Sequence, residues 1–348
     1  MKSSIAARQA KAGIAFSAPA MVLLLIFLVT PVFLAFGLGF TNAKLSSPKP
    51  AEIVGISNFE KLLKVSKVEV STTSTEPEAI YAEVRKLTKP GSGTPYEGMS
   101  ILRGSIASDG MSGSFFLAGD PLFWKSLRNT VFFAVIVAPL QGGLALLLAL
   151  LVNSQIRGRI FFRTVFFLPV VTSMVVVSIL WLFMYQEYGL ANNFLNFFLP
   201  NYQPKNFLAD TSTALPAIIF MSVWQGVGFH MLIWLSGLQT IPAEQYEAAR
   251  VDGANGLQVF RHVTWPGLRN TFVFILVTIT IAAFGLFTQI AVMTQGGPLD
   301  STTTIIYHAF WTGTRKQMIG YSSAIALIFF IIVVTISLLQ KRLTRERD

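Results

Sequence analysis

Residues able to do chemistry are few in this sequence and poorly placed for it. The three histidines, His230, His262 and His308, fall in different segments, with no carboxylate or second histidine at the spacing a metal site needs. There is no cysteine, which removes disulfides, thiolate ligands and a cysteine nucleophile. No paired carboxylates, histidine cluster or activated serine points to a membrane-embedded enzyme. No G-x-x-x-x-G-K-[S/T] run exists to cradle a nucleotide's phosphates, so the chain is expected to hydrolyse no ATP and to bind no cofactor. What remains is a set of neutral polar side chains within or near apolar segments: Gln141, Gln225, His230 and Gln289. Such groups commonly bond neighbouring helices; they also suit a path for an uncharged polar solute.

The elements that must position them are membrane spans. Of 348 residues 53% are hydrophobic and 13% charged, against about 25% charged in an ordinary soluble domain. The apolar residues gather into runs able to cross a hydrocarbon core about 30 Å thick, which takes roughly 20 helical residues. Six spans are predicted, at 14–40, 129–152, 164–185, 215–238, 269–293 and 321–340. The first run is far longer than the apolar part of a signal peptide and no small-residue cleavage site closes it, so it reads as an uncleaved anchor. None of the apolar cores carries an Asp, Glu, Lys or Arg, unlike proton- or ion-coupled carriers, which keep such residues as relays. A channel or secondary carrier is disfavoured on that ground.

Cations set the orientation. Lys2, Arg8 and Lys11, Arg157, Arg159 and Arg163, Arg250, Arg261 and Arg269, and Lys341, Arg342, Arg345 and Arg347 share one side. The other side, with the long first loop set aside as the positive-inside rule requires, has only Arg128, Lys205, Arg315 and Lys316. The positive-inside rule then places both termini in the cytoplasm, with 1–13 and 341–348 as cytoplasmic ends. A net charge of +10 on such a chain reports topology and anionic headgroups rather than nucleic acid. The external loop at 41–128 is long and mixed in charge. Val68, Val70, Ile80, Tyr81, Val84, Ile101, Leu102, Ile106, Phe115 and Phe116 would supply a modest core, so a partly ordered cap is expected there.

The loop 239–268, between the fourth and fifth spans, has the strongest local signals. Thr240 is the expected N-cap of a short helix, with Pro242 in its first turn and Glu244 and Glu247 near the positive end of its dipole. Gly253 allows a left-handed C-terminal turn. A second short helix is expected from Asn255, with Leu257, Phe260 and Val263 on one face, ending before Pro266. Ala248 and Ala249 leave a smooth patch for close approach, while Tyr246 and Leu257 offer larger anchors. Spacing alone does not separate a protein-docking element from an amphipathic loop resting on headgroups.

Glu247-Ala248-Ala249, then Gly253, Val263, Trp265 and Pro266, resembles the EAA loop of ABC importer permeases, whose pattern is E-A-A, three residues, G, nine residues, I, one residue, L-P. Val263 stands for Ile and Trp265 for Leu. Thr294, Gly296, Gly297, Pro298 and Thr302 are similar to the T-x-G-G-P-x-x-x-T segment of the maltose-type carbohydrate-uptake permeases. A further family segment looks split, with Gly55, Asn58, Phe59, Leu62 and Leu63 on one side and Phe123, Trp124, Asn129 and Thr130 on the other. The residues between, about 64–118, then look like an insertion.

The resemblance implies an all-α type I ABC importer permease bundle in the cell membrane, with the permease core at 129–340. It implies a passive half of a sugar path, completed by a second permease subunit, two ATP-binding subunits that carry the ATP and Mg, and an external sugar-binding protein. It also implies that Tyr246, Glu247, Ala248, Ala249, Asp252, Gly253 and Pro266 contact the ATP-binding subunit. Trp224, Gln225, Phe284 and Gln289 become the candidates for the sugar path, by type and mid-span position. An ABC permease for a polyol or glycerol phosphate is the near alternative.

Overall fold

The computed structural model describes residues 2–108, 111–154, 158–199 and 201–344; Arg157, Arg345 and Arg347 of the cationic count lie outside them. Among the described residues, five helices are long and apolar enough to cross a membrane: Ala12–Leu38, Pro121–Asn153, Ala214–Gln239, Arg269–Met293 and Ile319–Arg342. The third expected span is a bent pair, Arg159–Val171 and Met174–Met184, meeting at 97°. The span expected at 164–185 is thus present but bent, and the cause is local. Pro169 has no N–H to give the helix, β-branched Val170 and Val171 follow it, and Thr172 and Ser173 are extended with ψ of 138° and 133°. The fifth span also breaks, between helices Arg269–Phe284 and Thr288–Met293. The second begins at Pro121, ahead of the expected 129, because Lys125 and Arg128 extend the helix beyond its apolar stretch. Ile305–Thr314 forms a helix that the apolar runs did not reveal.

The chain divides into two compact units, 1–120 with 309–328, and 121–308 with 329–348. In the first, Asn58 Nδ2 donates to the carbonyls of Gly39 and Thr41, both at 2.9 Å, tying the short Ser57–Leu63 helix to the end of the first span. Tyr321 donates to Asp120 Oδ2 at 2.8 Å, and Lys61 Nζ lies 5.3 Å from the Tyr321 ring centre.

The region read as an insertion folds as a cap. Strands β1 (Val65–Ser71), β2 (Ser100–Ile106) and β3 (Ser112–Ala118) make an antiparallel sheet in the order β1-β3-β2, with the helix Pro77–Thr88 packed on it. Its core is Val68, Val70, Ile80, Val84, Met99, Phe115 and Leu117. Three expected core residues are corrected: Phe116 is 45% exposed, and Ile101 and Tyr81 36% each. Alternation along β3 turns Phe115 and Leu117 inward and Phe116 outward, while the Tyr81 ring only covers Phe115 edge-on from outside, 5.5 Å between centres. Gly104 sits opposite Phe115, where a Cβ would fall on its ring.

The second unit holds the polar side chains of interest. The second and fourth spans pack along much of their length, with the fifth against both. Gly228 makes the closest approach: a Cβ there would land on the backbone carbonyl of Phe166, so only glycine lets the fourth span touch the Arg159–Val171 helix. Trp234 Nε1 donates to the Gly142 carbonyl at 3.0 Å, and Gln340 Nε2 donates to Thr280 Oγ1 at 2.9 Å. These bonds satisfy polar groups where no water is available.

Candidate functional site

Two places merit the description: the loop between the fourth and fifth spans, and a cavity among the second, third, fourth and fifth. The loop opens with a helix at Ala243–Val251 whose N-cap is Pro242; Thr240 instead closes the preceding span, its Oγ1 donating to the Gly237 carbonyl at 2.8 Å. That corrects the expected cap by two residues. Gly253, at φ +76°, then ends the helix as anticipated. Its N–H reaches the Arg250 carbonyl at 3.1 Å and that of Ala254 reaches Ala249 at 2.9 Å, the paired bonds of a Schellman turn. Asn255 starts the next helix through a reciprocal capping box with Gln258, the two bonds measuring 3.0 and 2.8 Å.

The second helix does not end before Pro266. The chain stays helical through a wide turn at Phe260–Thr264 and on through Trp265–Gly267, because Pro266, at the start of that last turn, has no N–H to leave unpaired. The fifth span begins immediately after, at Arg269. The loop is thus a helical hairpin whose second arm runs nearly unbroken into a span. Tyr246 ties the arms, its hydroxyl 3.3 Å from Thr264 Oγ1, and buried Leu268 roots the hairpin in the bundle core. Trp265 fits between Phe260 and Phe272, with ring centres 6.3 and 5.2 Å away.

Glu247, Ala248, Asp252, Gly253 and Pro266 are exposed, and Ala249 and Tyr246 half-buried. Val251 and Leu257 at the tip are 88% and 77% exposed, an apolar pair that the bundle leaves uncovered. Val251 carried no signal in the sequence reading. Only its place beside the turn, next to Leu257, makes it notable.

The cavity has a volume of about 410 Å³. Its polar lining is Gln141, Ser222, Gln225, His230, Thr288 and Gln289, against apolar walls that include Phe133, Met174 and Ile279. Among the described residues, none of those lining it is charged. His230 Nδ1 lies 2.8 Å from Gln141 Nε2 and 3.0 Å from the Gly226 carbonyl; it accepts from the amide in one tautomer and donates to the carbonyl in the other, so the ring is held to the second span or to its own helix. Gly226 leaves room for this: a Cβ there would collide with the Gln141 amide. Ser222 Oγ is buried and makes no hydrogen bond among the described residues. The structure therefore brings Gln225 and Gln289 together and adds Ser222 and Thr288, which hydropathy could not single out. Trp224 and Phe284 lie elsewhere. Trp224 stacks edge-on against Trp181, 5.4 Å between centres, and Phe284 is buried against Phe329 at 6.2 Å.

The Gly-Gly-Pro segment is a lock. Asn129 Nδ2 donates to the carbonyls of Asp300 and Thr303 at 3.1 and 3.0 Å, and Ile305 N–H donates to Thr130 Oγ1 at 3.1 Å. Thr294 and Thr302 hydroxyls meet at 2.8 Å, and Thr302 Oγ1 also donates to the Gly297 carbonyl at 2.8 Å. Gly296 adopts φ +87°, and a Cβ on it would crowd Thr303 Oγ1. The segment and the Asn129-Thr130 pair are thus two halves of one hydrogen-bonded joint at the end of the second span.

Residues 141–347 match the family model described as binding-protein-dependent transport system inner membrane component. The chain belongs to that family. It is thus a membrane component of a binding-protein-dependent transport system and has the fold of a type I ABC importer permease. The probable ABC transporter permease protein YurN of Bacillus subtilis (strain 168) is 40% identical over 228 residues, 64% of this chain and 77% of that protein. The lactose transport system permease protein LacF of Rhizobium radiobacter is 34% identical over 235 residues, 66% and 79% of the two chains. In fold, a chain of a bacterial ABC transporter involved in import of the acidic polysaccharide alginate superposes with a TM-score of 0.72. That match covers 99% of both chains at 18% identity. The permease bundle, the cap included, is therefore an architecture already known.

Proposed function

We propose that this permease forms one half of the path through which an uncharged sugar, a disaccharide or oligosaccharide, enters the cell. The observation that carries the reading is the exposed helical hairpin 243–268, capped at each turn, tied by Tyr246 and Thr264 and continuous with the fifth span. A push on a rigid arm moves the span it belongs to, whereas a push on a flexible loop is absorbed. Tyr246, Glu247, Ala248, Ala249, Asp252, Gly253 and Pro266, with Val251 and Leu257 at the tip, make the contact with an ATP-binding subunit. Two such subunits supply ATP and Mg, and a second permease subunit completes the path. The hairpin and both termini then face the cytoplasm, in keeping with the cation distribution. ATP on that side and a loaded binding protein on the other bias two states of the bundle, which is what alternating access requires.

The neutral lining of the cavity favours an uncharged solute over glycerol phosphate, because a phosphate without a cationic or backbone partner would be poorly compensated away from water. Hydroxyls, in contrast, match the amides of Gln225 and Gln289 and the hydroxyls of Ser222 and Thr288. Replacing Gln225 and Gln289 together by alanine is expected to lower the uptake rate at least about tenfold, the loss of two hydrogen bonds of about 1 kcal/mol each. Binding-protein affinity stays unchanged. Labelled-sugar uptake by vesicles containing the whole complex measures it, and unchanged rate and selectivity would remove both residues from the path.

The cap belongs to the loop that the cation distribution assigns to the external side, where the sugar-binding protein would meet it. It has its own core, so a short linker in place of residues 66–116 is expected to leave the bundle folded and to weaken the loaded binding protein's affinity for the complex. Unaltered affinity and uptake in that deletion would assign the cap another role.

A further inference from the structure

Between the bent third span and the fourth lies the helix Leu190–Phe198, at the end of the bundle opposite the hairpin. It presents three chemically distinct faces. Asn192 points inward and is buried at 1% exposure. Its amide donates to the carbonyls of Gln186 and Lys205 at 2.8 and 2.9 Å, and its oxygen accepts from Tyr202 Oη and Lys205 N–H at 2.8 and 3.1 Å. All four hydrogen-bonding positions of that side chain are used, so the rotation of the helix about its axis is fixed. Leu190, Phe194, Phe197 and Phe198 are then held outward together, at 68, 64, 82 and 61% exposure. The rings of Phe194 and Phe198, and of Phe197 and Phe198, are 4.9 and 5.0 Å apart, which makes one continuous apolar patch. Asn193 and Asn196 form the third face, also exposed.

We infer that this helix lies in the plane of the membrane surface, its phenylalanine face seated among lipid headgroups and upper acyl chains and its Asn193–Asn196 face in water. The depth follows from the chain on either side. Leu190 follows the end of the third span at Met184 after one turn, and the fourth span starts at Ala214, so both flanks emerge from the bilayer close to the helix. The exposed side chains Leu180 and Phe183 carry the lipid-facing surface of the third span up to that turn. A short amphipathic helix with aromatic residues on one side is the form suited to that interface. Lys205, whose backbone Asn192 holds, is exposed nearby, with its ammonium 5.9 Å from the Phe207 ring centre. The helix is thereby a float for the outer end of the bent span: Phe207 N–H donates to the Tyr185 carbonyl at 3.1 Å, linking the segment back to the end of the Met174–Met184 helix.

The chain has no cysteine, so a single introduced one can be spin-labelled without background from this subunit. Phe197→Cys and Asn196→Cys, each in the complete transporter with cysteine-free partners in liposomes, would be compared by collision with oxygen, which concentrates in lipid, and with a water-soluble nickel chelate. The ratio of oxygen to nickel accessibility is expected to be severalfold higher at 197 than at 196. A label at 197 shielded from both reagents would mean that another protein covers the face, and one reached mainly by nickel would mean that it stands in water; either overturns the inference. Asn192→Ala separates position from composition. It frees the rotation of the helix and should bring the two ratios together, and a contrast that persists undiminished would deny Asn192 its orienting role.

Discussion

Reversing the charge of Glu247, in Glu247→Arg, is expected to abolish ATP-driven uptake and to release the ATP-binding subunit, while the permease itself melts at an unchanged temperature. Glu247 is exposed on the Ala243–Val251 helix and makes no ion pair among the described residues, so the isolated chain has little to lose. In the proposed coupling its value lies in the contact. Placing like charges across an interface, or stranding the charge of a partner, costs roughly 2–5 kcal/mol, which is at least about thirtyfold in affinity. Gly253→Trp reaches the same end by geometry. A side chain at φ +76° is strained, and the Schellman turn that aims the second arm of the hairpin is lost with it. Co-purification of the ATP-binding subunit with each variant reads the effect directly. Retention of that subunit and of uptake in both would remove the hairpin from the coupling path.

Gly228→Ala is the second large effect, and it acts on the fold. The added methyl group would occupy the position of the Phe166 backbone carbonyl, and backbone yields less readily than a side chain. Separating the fourth span from the Arg159–Val171 helix also disturbs the wall that carries Ser222, Gln225 and His230. Overpacking of this kind costs typically about 1–3 kcal/mol, expected as a lower melting temperature in detergent and a loss of transport in the fraction that remains folded. Gly143→Ala in the second span is the comparison, since a Cβ there meets nothing within 4 Å. Equal stability of the two variants would contradict the close helix crossing.

These two residues also mark how far the sequence could be read. Gly253 was legible because its function is local: an acidic first turn, a short helix and a glycine before Asn255 announce a left-handed cap whatever surrounds them. Gly228 was not, because a glycine inside an apolar run looks the same whether it faces lipid or another backbone. The same division runs through the rest of the molecule. Five spans and the hairpin followed from runs and caps. The third span's 97° bend did not, since hydropathy counts Pro169 and the extended Thr172 and Ser173 as part of one run. Within the cap, apolar residue type picked out Val68, Val70 and Phe115 correctly but counted Phe116 and missed Leu117, because type alone, without the register of β3, does not say which side chains face inward.

The cavity was partly legible. Gln225 and Gln289 stand out as amides in apolar helices, and both line it; Trp224 and Phe284 were chosen by the same rule and do not. Residue type gives depth in the membrane, but the face on which a side chain emerges is decided by helix packing. That is also why the Gly-Gly-Pro segment, conspicuous in the sequence, turns out to hold a joint closed through Asn129 and Thr302 while the plainer Ser222 and Thr288 border the open space.

The most direct measurement is ATP-dependent accumulation of labelled sugars in sealed vesicles containing the permease, its second permease subunit, the ATP-binding subunits and the binding protein. Uptake that requires ATP, requires the binding protein and disappears with Glu247→Arg is the predicted result. Accumulation that persists when the ATP-binding subunits are left out would contradict it and make the chain a carrier or channel driven by some other gradient.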